Sequence, residues 1–456
     1  MKIEQIYTKC LSQGSYYIES NNEVAIIDPI REIDIYLKRA AKTNSSIKYI
    51  FETHIHADFI SGHLNLAKKT GAEIVFGPNT ETSFDTTIAN DYQEFILGDI
   101  TIVAIHTPGH TIESTTYLLR NSSGKDHAIF TGDTLFLGDV GRPDLSQKSI
   151  ISNKDLASML FDSLRNRIMT LSNEVIIYPG HGQGSSCGKD LSSETIGKLG
   201  DQKKTNYALR EDMTKDEFIN EVLDGLLDPP KYFPSNVLLN KKGYDESYKI
   251  LNKNLNSLEP NEVKEKLIDN NIVLLDVRAP ADFSDSHIPG SIFIGLDGRF
   301  APWVGEVLEN IYTSLIIICP EGREEETVLR LSRVGFDNVV GYLNGGIKNW
   351  IKFGGSIATI ENSQASDFTD IKSSKENILD VRSNAEHKSE CFNNSLNIPL
   401  PELRSSLNKI NFKNKFYIHC KGGYRSMIAA SILLSKGISE FANIPGGFDK
   451  IKKFQS

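Results

Sequence analysis

The sequence has little cysteine, no surplus of basic residues and no long apolar run, and each absence excludes a class of protein. Its five cysteines are scattered over 456 residues, which argues against a disulfide framework and for reduced thiols. The net charge of −9 is unlike that of a nucleic-acid binder, which usually carries a basic face. No stretch has the length of a membrane span, and the N-terminus lacks the apolar segment of a secretory signal. We therefore expect a cytoplasmic protein with neither nucleic acid nor membrane as a partner.

The first part of the chain alternates short apolar runs with polar loops. Runs such as VAIIDP, AEIVFGP and HAIFTGD have strand length, whereas DLASMLFDSLRNRIM has the apolar spacing of a helix. This alternation predicts an α/β layer structure. Residues 190–258 are more polar, and we expect them to form helices and a covering arm. Within that arm, Tyr232 and Phe233 either cap the site or pack between domains.

A tandem repeat follows the covering arm. The stretch LLDVR at 274–278 is echoed by ILDVR at 378–382, and Cys319 in the first copy corresponds to Cys420 in the second. The shared order and spacing predict two domains of about 100 residues each. The expected domain boundaries are 1–255, 259–358 and 365–456.

Side chains that can bind a metal follow four apolar runs of the first region. They are His54, His56, Asp58, His110, Asp133 and His181. Because neighbouring strand ends in an α/β sheet project their loops onto one edge, these side chains are expected to lie together. Imidazoles and carboxylates in such a cluster indicate a metal site. The histidines without this placement are interpreted as structural or surface residues; they are His63, His106, His127 and His287.

The motifs THIHAD, TPGHT, TGD and YPGHG resemble, in this order, those of the metallo-β-lactamase fold family over roughly residues 1–190. The resemblance implies an αββα sandwich with its metal centre on one edge. Dinuclear members carry a histidine where this chain has Phe59, so we expect a single ion. Mononuclear persulfide dioxygenases of the family bind iron with two histidines and one aspartate, a triad suited to Fe(II) and O₂.

By this resemblance the iron ligands, one Fe(II) per chain, are His54, His110 and Asp133. The side chains expected beside the metal are His56, Asp58 and His181. The stretch FLGDVGRPD resembles one that persulfide dioxygenases carry near iron, which implies that Arg142 and Asp144 support substrate and site geometry. The stretch GHGQGSSCGK resembles fusions of such enzymes with rhodanese domains. It places Cys187 near the metal, where it either handles sulfane sulfur or is an inert thiol.

The second repeat carries a cysteine at the end of the strand KFYIHC, before KGGYRS and an apolar helical run. Backbone N–H groups at such a helix start, with basic side chains beside them, favour a thiolate and suit sulfite or thiosulfate. CKGGYRS resembles the active loop of rhodaneses, which implies that Cys420 and Arg425 are catalytic. The substrate-binding residues would be Lys421, Gly422, Gly423, Tyr424 and Ser426.

The first repeat has CPEGREEE at the corresponding place. Pro320 removes an N–H donor from the loop, and three consecutive glutamates would repel a thiolate and an anionic substrate. We interpret this repeat as a degenerate, structural rhodanese-like domain.

The preferred hypothesis is an iron-dependent persulfide dioxygenase fused to a sulfurtransferase. It would oxidise a small thiol persulfide with O₂ to sulfite and exchange sulfane sulfur with sulfite or thiosulfate, as a homo-oligomer. The chief alternative is a glyoxalase II-like zinc thioester hydrolase fused to a sulfurtransferase. A third hypothesis is a non-enzymatic sulfide sensor or scaffold.

Overall fold

The computed structural model describes residues 1–145, 151–189, 191–226, 228–268, 271–368, 377–410 and 414–454. The chain divides into two compact units, one of residues 1–249 with 332–335 and one of residues 250–331 with 336–456. Both contain mixed α/β layers, as predicted. Across the described ranges, no helix combines the length and apolar character needed to cross a membrane.

The first unit contains two six-stranded sheets. In spatial order, the first sheet is β1 (Lys2–Thr8), β2 (Gln13–Ser20), β3 (Glu23–Ile27), β4 (Ser46–Phe51), β5 (Glu73–Phe76) and β6 (Thr87–Ile88). The second sheet, in spatial order, is β7 (Glu94–Leu97), β8 (Ile100–His106), β9 (Thr115–Arg120), β10 (Asp126–Gly132), β11 (Ile176–Pro179) and β12 (Gly197–Lys198). The helices are α1 (Asp34–Thr43), α2 (His63–Thr70), α3 (Asn153–Ser163), α4 (Leu199–Thr205), α5 (Lys215–Leu223), α6 (Phe233–Lys242) and α7 (Ser247–Asn254), which extends past the boundary of this unit.

The alternation of apolar side chains along the strands explains how these layers pack. In β2, Tyr16 and Ile18 face a core shared by both sheets, whereas Tyr17 faces a second core that includes residues of α1 and α2. In β10, Phe130 belongs to the shared core, whereas Ile129 joins residues of α3 and α5 on the outer face. Because strand residues alternate between faces, the two sheets stack against each other and helices cover both outer faces.

Strand direction brings the candidate ligands to one edge of this sandwich. In the second sheet, β10 and β11 are parallel, and β8 and β10 are both antiparallel to β9. The loops that follow β8, β10 and β11 therefore leave the same edge, and they carry His110, Asp133 and His181. The loop after β4 in the first sheet carries His54.

The second unit contains two parallel sheets of matching topology. The first repeat forms β13 (Ser257–Leu258), β14 (Ile272–Asp276), β15 (Ile292–Phe293), β16 (Ser314–Ile318) and β17 (Val339–Leu343), in spatial order β13-β17-β16-β14-β15. The second repeat forms β18 (Ile378–Asp380), β19 (Leu396–Asn397), β20 (Phe416–His419) and β21 (Phe441–Asn443), in spatial order β19-β18-β20-β21. The helices are α8 (Pro260–Lys266), α9 (Pro280–Asp285), α10 (Phe300–Leu308), α11 (Glu324–Ser332), α12 (Gly346–Lys352), α13 (Asn384–Ser389), α14 (Tyr424–Ser435) and α15 (Gly447–Lys452).

The repeated LDVR motif has the same structure in both copies. Arg278 forms a buried ion pair with Asp276, with 2.7 Å between Nη2 and Oδ2, and Arg382 pairs with Asp380 at 2.6 Å. Each arginine also donates to a backbone carbonyl eight residues further along. The repeat detected in the sequence is thus a repeat of structure as well.

Candidate functional site

Three of the predicted ligands meet around one carboxylate oxygen. Asp133 Oδ2 lies 3.5 Å from His110 Nε2 and 3.9 Å from His54 Nε2, and all three side chains are buried. Within the described part of the chain, this oxygen has no hydrogen-bond partner. Two ligand atoms about 2.1 Å from one ion can be up to about 4.2 Å apart. A metal ion therefore fits here, and it would satisfy an otherwise orphaned buried oxygen.

Hydrogen bonds to the other ring nitrogens orient both imidazoles. His110 Nδ1 donates to the carbonyl oxygen of Arg142 at 2.8 Å, so the lone pair of this ring is on Nε2. Thr53 donates its hydroxyl hydrogen to Asp28 at 2.8 Å and accepts from His54 Nδ1 at 3.0 Å. Both Nε2 atoms are thus presented to the ion site.

His56 has a different environment. Its Nε2 lies 3.2 Å from Asp28 Oδ1 and 3.3 Å from Glu52 Oε2. Burial alone would lower the pKa of His56, but these two carboxylates raise it to about 10. The ring of Phe59 packs on this imidazole with 4.4 Å between centroids. In the described residues, His56 Nδ1 has no hydrogen-bond partner.

Asp58, His181 and Cys187 form a second buried group, whose potential ligand atoms lie within 4.8 Å of one another. His181 donates from Nε2 to Asp58 Oδ2 and from Nδ1 to Asp133 Oδ1, both at 2.8 Å. Burial opposes its protonation, but Asp133 and Asp58 raise the pKa of His181 well above the usual value. Burial, reinforced by the same two carboxylates, also raises the pKa of Cys187. Cys187, which the sequence predicted to be near the metal, thus lies beside Asp58 and His181.

The Arg142 backbone connects the group around Asp133 Oδ2 with the group that contains Cys187. Its carbonyl accepts from His110, and its N–H donates to the Cys187 carbonyl at 2.9 Å. Its guanidinium binds both carboxylate oxygens of Asp144, at 2.6 and 2.7 Å. The Arg142–Asp144 pair, predicted to support site geometry, is nearly buried beside the ligand loops.

Two residues of the covering arm also contact the loop after β4, residues 52–62. Asn240 donates from Nδ2 to the carbonyls of His56 and Phe59, each at 2.8 Å, and accepts from the backbone N–H of Ser61. Tyr232, which is 2% exposed, donates to the Asp58 carbonyl at 3.3 Å. The sequence contains no signal that separates Asn240 from its polar neighbours, so it was not predicted.

The loop after β20 in the second repeat brings one backbone N–H to the cysteine sulfur. Cys420 is buried at the end of β20, and the Gly423 N–H donates to its Sγ at 3.1 Å. Gly423 is in the left-handed region with φ 93°, and α14 starts at the next residue. Ser426 donates its hydroxyl to the Gly423 carbonyl at 3.1 Å. A sulfur at this position receives an N–H group and the positive end of a helix.

The remaining residues of this loop differ in exposure and partners. Lys421 and Gly422 are exposed. Arg425 forms a bidentate ion pair with Glu386 at 2.7 and 2.8 Å, so a carboxylate that was not predicted balances its charge. Tyr424 donates its hydroxyl to the Gly295 carbonyl of the first repeat at 2.6 Å.

The corresponding cysteine of the first repeat is in a less favourable environment. Burial, with Glu324 and Asp276 adding repulsion, raises the pKa of the Cys319 thiol to about 12. A thiol with this pKa is protonated at neutral pH and is a poor nucleophile. This agrees with the interpretation of the first repeat as degenerate.

Comparisons with known proteins agree with this architecture. The model of the metallo-beta-lactamase superfamily matches residues 9–181, and that of the rhodanese-like domain matches residues 259–353 and 364–454. A probable hydroxyacylglutathione hydrolase of Schizosaccharomyces pombe is 30% identical over 189 residues, which cover 40% of this chain and 69% of that protein.

Two solved structures are also similar. A metallo-beta-lactamase from Staphylococcus aureus is 30% identical and has a TM-score of 0.66; the superposition covers 75% of this chain and 98% of that protein. ETHE1 from Myxococcus xanthus is 29% identical and has a TM-score of 0.45; the superposition covers 53% of this chain and 98% of that protein. By the two family models and the relatives from Schizosaccharomyces pombe and Staphylococcus aureus, the chain belongs to the metallo-beta-lactamase superfamily, and two rhodanese-like domains follow its N-terminal domain.

Proposed function

We propose that the N-terminal domain is an iron-dependent persulfide dioxygenase and that the last domain is a sulfurtransferase. The observation that carries the first assignment is the donor set around Asp133 Oδ2, which consists of two imidazoles and one carboxylate. His56 is engaged through Nε2 by Asp28 and Glu52, and Phe59 has no lone pair to donate. Two histidines and one carboxylate with open positions are typical of non-haem Fe(II) oxygenases.

In this proposal His54, His110 and Asp133 hold the Fe(II), which supplies the O₂ chemistry when bound. The overall reaction is RSSH + O₂ + H₂O → RSH + H₂SO₃, in which the terminal sulfur is oxidised and O₂ is reduced. The protein contributes orientation and exclusion of bulk water. The Arg142 carbonyl and Thr53 fix the two rings, and burial of all three ligands keeps solvent away.

The last domain would transfer sulfur through Cys420. The Cys420 thiolate attacks the outer sulfur of thiosulfate, and an Sγ–S bond forms. The S–S bond to sulfite breaks at the same time, and sulfite leaves with the electron pair. The Gly423 N–H and the start of α14 support the negative sulfur. In the reverse direction, sulfite produced by the N-terminal domain would accept sulfane sulfur, which gives the fusion a role in sulfide and persulfide detoxification.

A zinc-dependent thioester hydrolase of the glyoxalase II type is the second candidate for the N-terminal domain. Relatives named hydroxyacylglutathione hydrolase support it, including one from Schizosaccharomyces pombe and one from Arabidopsis thaliana. Two features of the site also favour it. His56 Nδ1 has no hydrogen-bond partner in the described residues, so this ring would offer a third imidazole once it loses the proton that Asp28 and Glu52 stabilise. Cys187 joins Asp58 and His181, so a thiolate could replace the imidazole that Phe59 removes.

Paired variants test the proposed function. Asp133→Ala should abolish persulfide-dependent O₂ uptake and leave sulfur transfer from thiosulfate to cyanide intact. Cys420→Ser should have the opposite effect. If Asp133→Ala abolishes both activities in a folded protein, the two sites are not independent. If the wild-type protein hydrolyses hydroxyacylglutathione with zinc and consumes no O₂ with iron, the second candidate is correct.

A further inference from the structure

The first rhodanese-like repeat contacts the Cys420 loop through one aromatic side chain. The Tyr424 hydroxyl donates to the Gly295 carbonyl at 2.6 Å. The Tyr424 ring lies over Gly298, where an added Cβ would be 2.4 Å from two ring carbons. Since Gly298 has no left-handed backbone that requires glycine, this ring contact is what demands its lack of a side chain.

A second contact anchors the same helix to the same segment of the first repeat. The Phe293 N–H donates to the Ser431 hydroxyl at 3.0 Å, and this serine is two turns along α14 from Tyr424. The segment 293–298 therefore contacts α14 at its first residue, Tyr424, and near its middle, at Ser431. Neither hydrogen bond involves Cys319, the cysteine of the first repeat.

The rest of the Cys420 loop is held within its own repeat. The Phe448 N–H donates to the Cys420 carbonyl at 2.8 Å, and the Asp449 N–H donates to the Lys421 carbonyl at 3.0 Å. These bonds fix the beginning of the loop. Its end is Gly423, whose N–H contacts the sulfur and whose neighbour is Tyr424. Gly423 has no side chain; Ser426 of the same repeat donates to its carbonyl, and Tyr424 connects it to the first repeat.

We propose that the first repeat positions the active loop of the second. By holding Tyr424 through Gly295 and Gly298, it would keep the Gly423 N–H on the Cys420 sulfur. Tyr424, predicted from the sequence to bind substrate, is in this inference a positioning residue. The degenerate repeat then has a role in catalysis without chemistry of its own. The inference rests on the proposed sulfur transfer at Cys420.

Two single substitutions in the full-length chain test the inference. Tyr424→Phe removes the 2.6 Å hydrogen bond and keeps the ring. It should lower kcat for sulfur transfer from thiosulfate to cyanide about tenfold, because the net free energy of one hydrogen bond corresponds to about a tenfold change in rate. KM should be nearly unchanged. The pH profile of Cys420 alkylation should shift to higher pH, because the thiolate loses support. Tyr312→Phe is the matched control, since that ring is 66% exposed in the first repeat.

Gly298→Ala adds a methyl group that the Tyr424 ring must avoid, so it should lower kcat more than Tyr424→Phe does. In a Tyr424→Ala background the ring is absent, and Gly298→Ala should cause no further loss. This non-additivity would show that the two repeats are coupled through Tyr424. Circular dichroism checks that each variant is folded.

The outcomes separate this inference from the proposed function. If Tyr424→Phe retains both the kcat and the alkylation profile of the wild type, the positioning role is wrong, although sulfur transfer stands. If wild-type protein transfers no sulfur, or Cys420→Ser still does, the proposed function itself is wrong. Should Gly298→Ala fail to fold, the result with Tyr424→Phe decides.

Discussion

Replacement of Gly180 by alanine should weaken metal binding without any change to a ligand. A Cβ on Gly180 would lie 2.6 Å from Asp133 Oδ1 and 3.0 Å from the Gly132 carbonyl carbon. Ordinary contact begins at 3.4 Å, so the carboxylate would have to move by about 0.8 Å. Metal–ligand distances tolerate only about 0.2 Å. The same carboxylate oxygen accepts from His181, so a second side chain of the site would be disturbed as well.

The expected loss of affinity is at least that of a disrupted supporting bond, about 10- to 100-fold. A competition titration with a chromophoric chelator measures the affinity, and elemental analysis gives the metal content. Gly182→Ala is the matched control in the same loop. Its Cβ would meet the Tyr7 hydroxyl at 2.7 Å, and that side-chain end can move aside. If folded Gly180→Ala protein binds metal with wild-type affinity, the proposed role of Asp133 is wrong.

Three further predictions concern other parts of the molecule. Burial opposes ionisation of Glu386, but Arg425 lowers its pKa to about 2. The Glu386–Arg425 ion pair therefore contributes fully to stability above the unfolded pKa of about 4.3, and this contribution is lost as the pH falls towards 2. With this side chain 30% exposed, Glu386→Gln should reduce the free energy of unfolding by about 1–2 kcal/mol at pH 7 and by little near pH 2, as urea unfolding would show; equal losses at both pH values would refute the pairing. A pKa near 12 leaves about one Cys319 thiol in 10,000 ionised at pH 8. Alkylation of Cys319, measured by mass spectrometry, should therefore be at least about 100-fold slower than that of a model thiol. Comparable rates would contradict the interpretation of Cys319 as an unreactive thiol. If the wild-type protein binds one ion per chain, as proposed, Phe59→His should raise the bound metal to two ions and introduce thioester hydrolysis, whereas unchanged stoichiometry would show that Phe59 does not control the second position.

The fold class was predictable because the strands appear in the sequence as short apolar runs between polar loops, and because the motifs resemble those of two known families. The predicted α/β architecture, an N-terminal metallo-beta-lactamase domain followed by two rhodanese-like domains, is confirmed. The metal candidates could be selected because each follows a strand. Their meeting at Asp133 results from strand direction, since His110 and Asp133 leave parallel strands at one edge.

The partners of these residues were not predictable, because they are distant in sequence and chemically ordinary. Asn240 holds the His56 and Phe59 carbonyls from more than 180 positions away. Glu386 pairs with Arg425 across 39 positions. Likewise, nothing in the spacing of HxHxD indicates that the His56 ring turns Nε2 towards acidic residues. Such contacts depend on tertiary packing, which a local pattern does not encode.

The most direct test of the account is O₂ consumption by iron-loaded protein supplied with glutathione persulfide or coenzyme A persulfide, with sulfite measured in parallel. The account predicts one sulfite, counted as free sulfite plus thiosulfate, for each O₂ consumed, and no uptake by the Asp133→Ala variant. No uptake with any persulfide, together with thioester hydrolysis by zinc-loaded protein, would contradict it and establish the hydrolase instead.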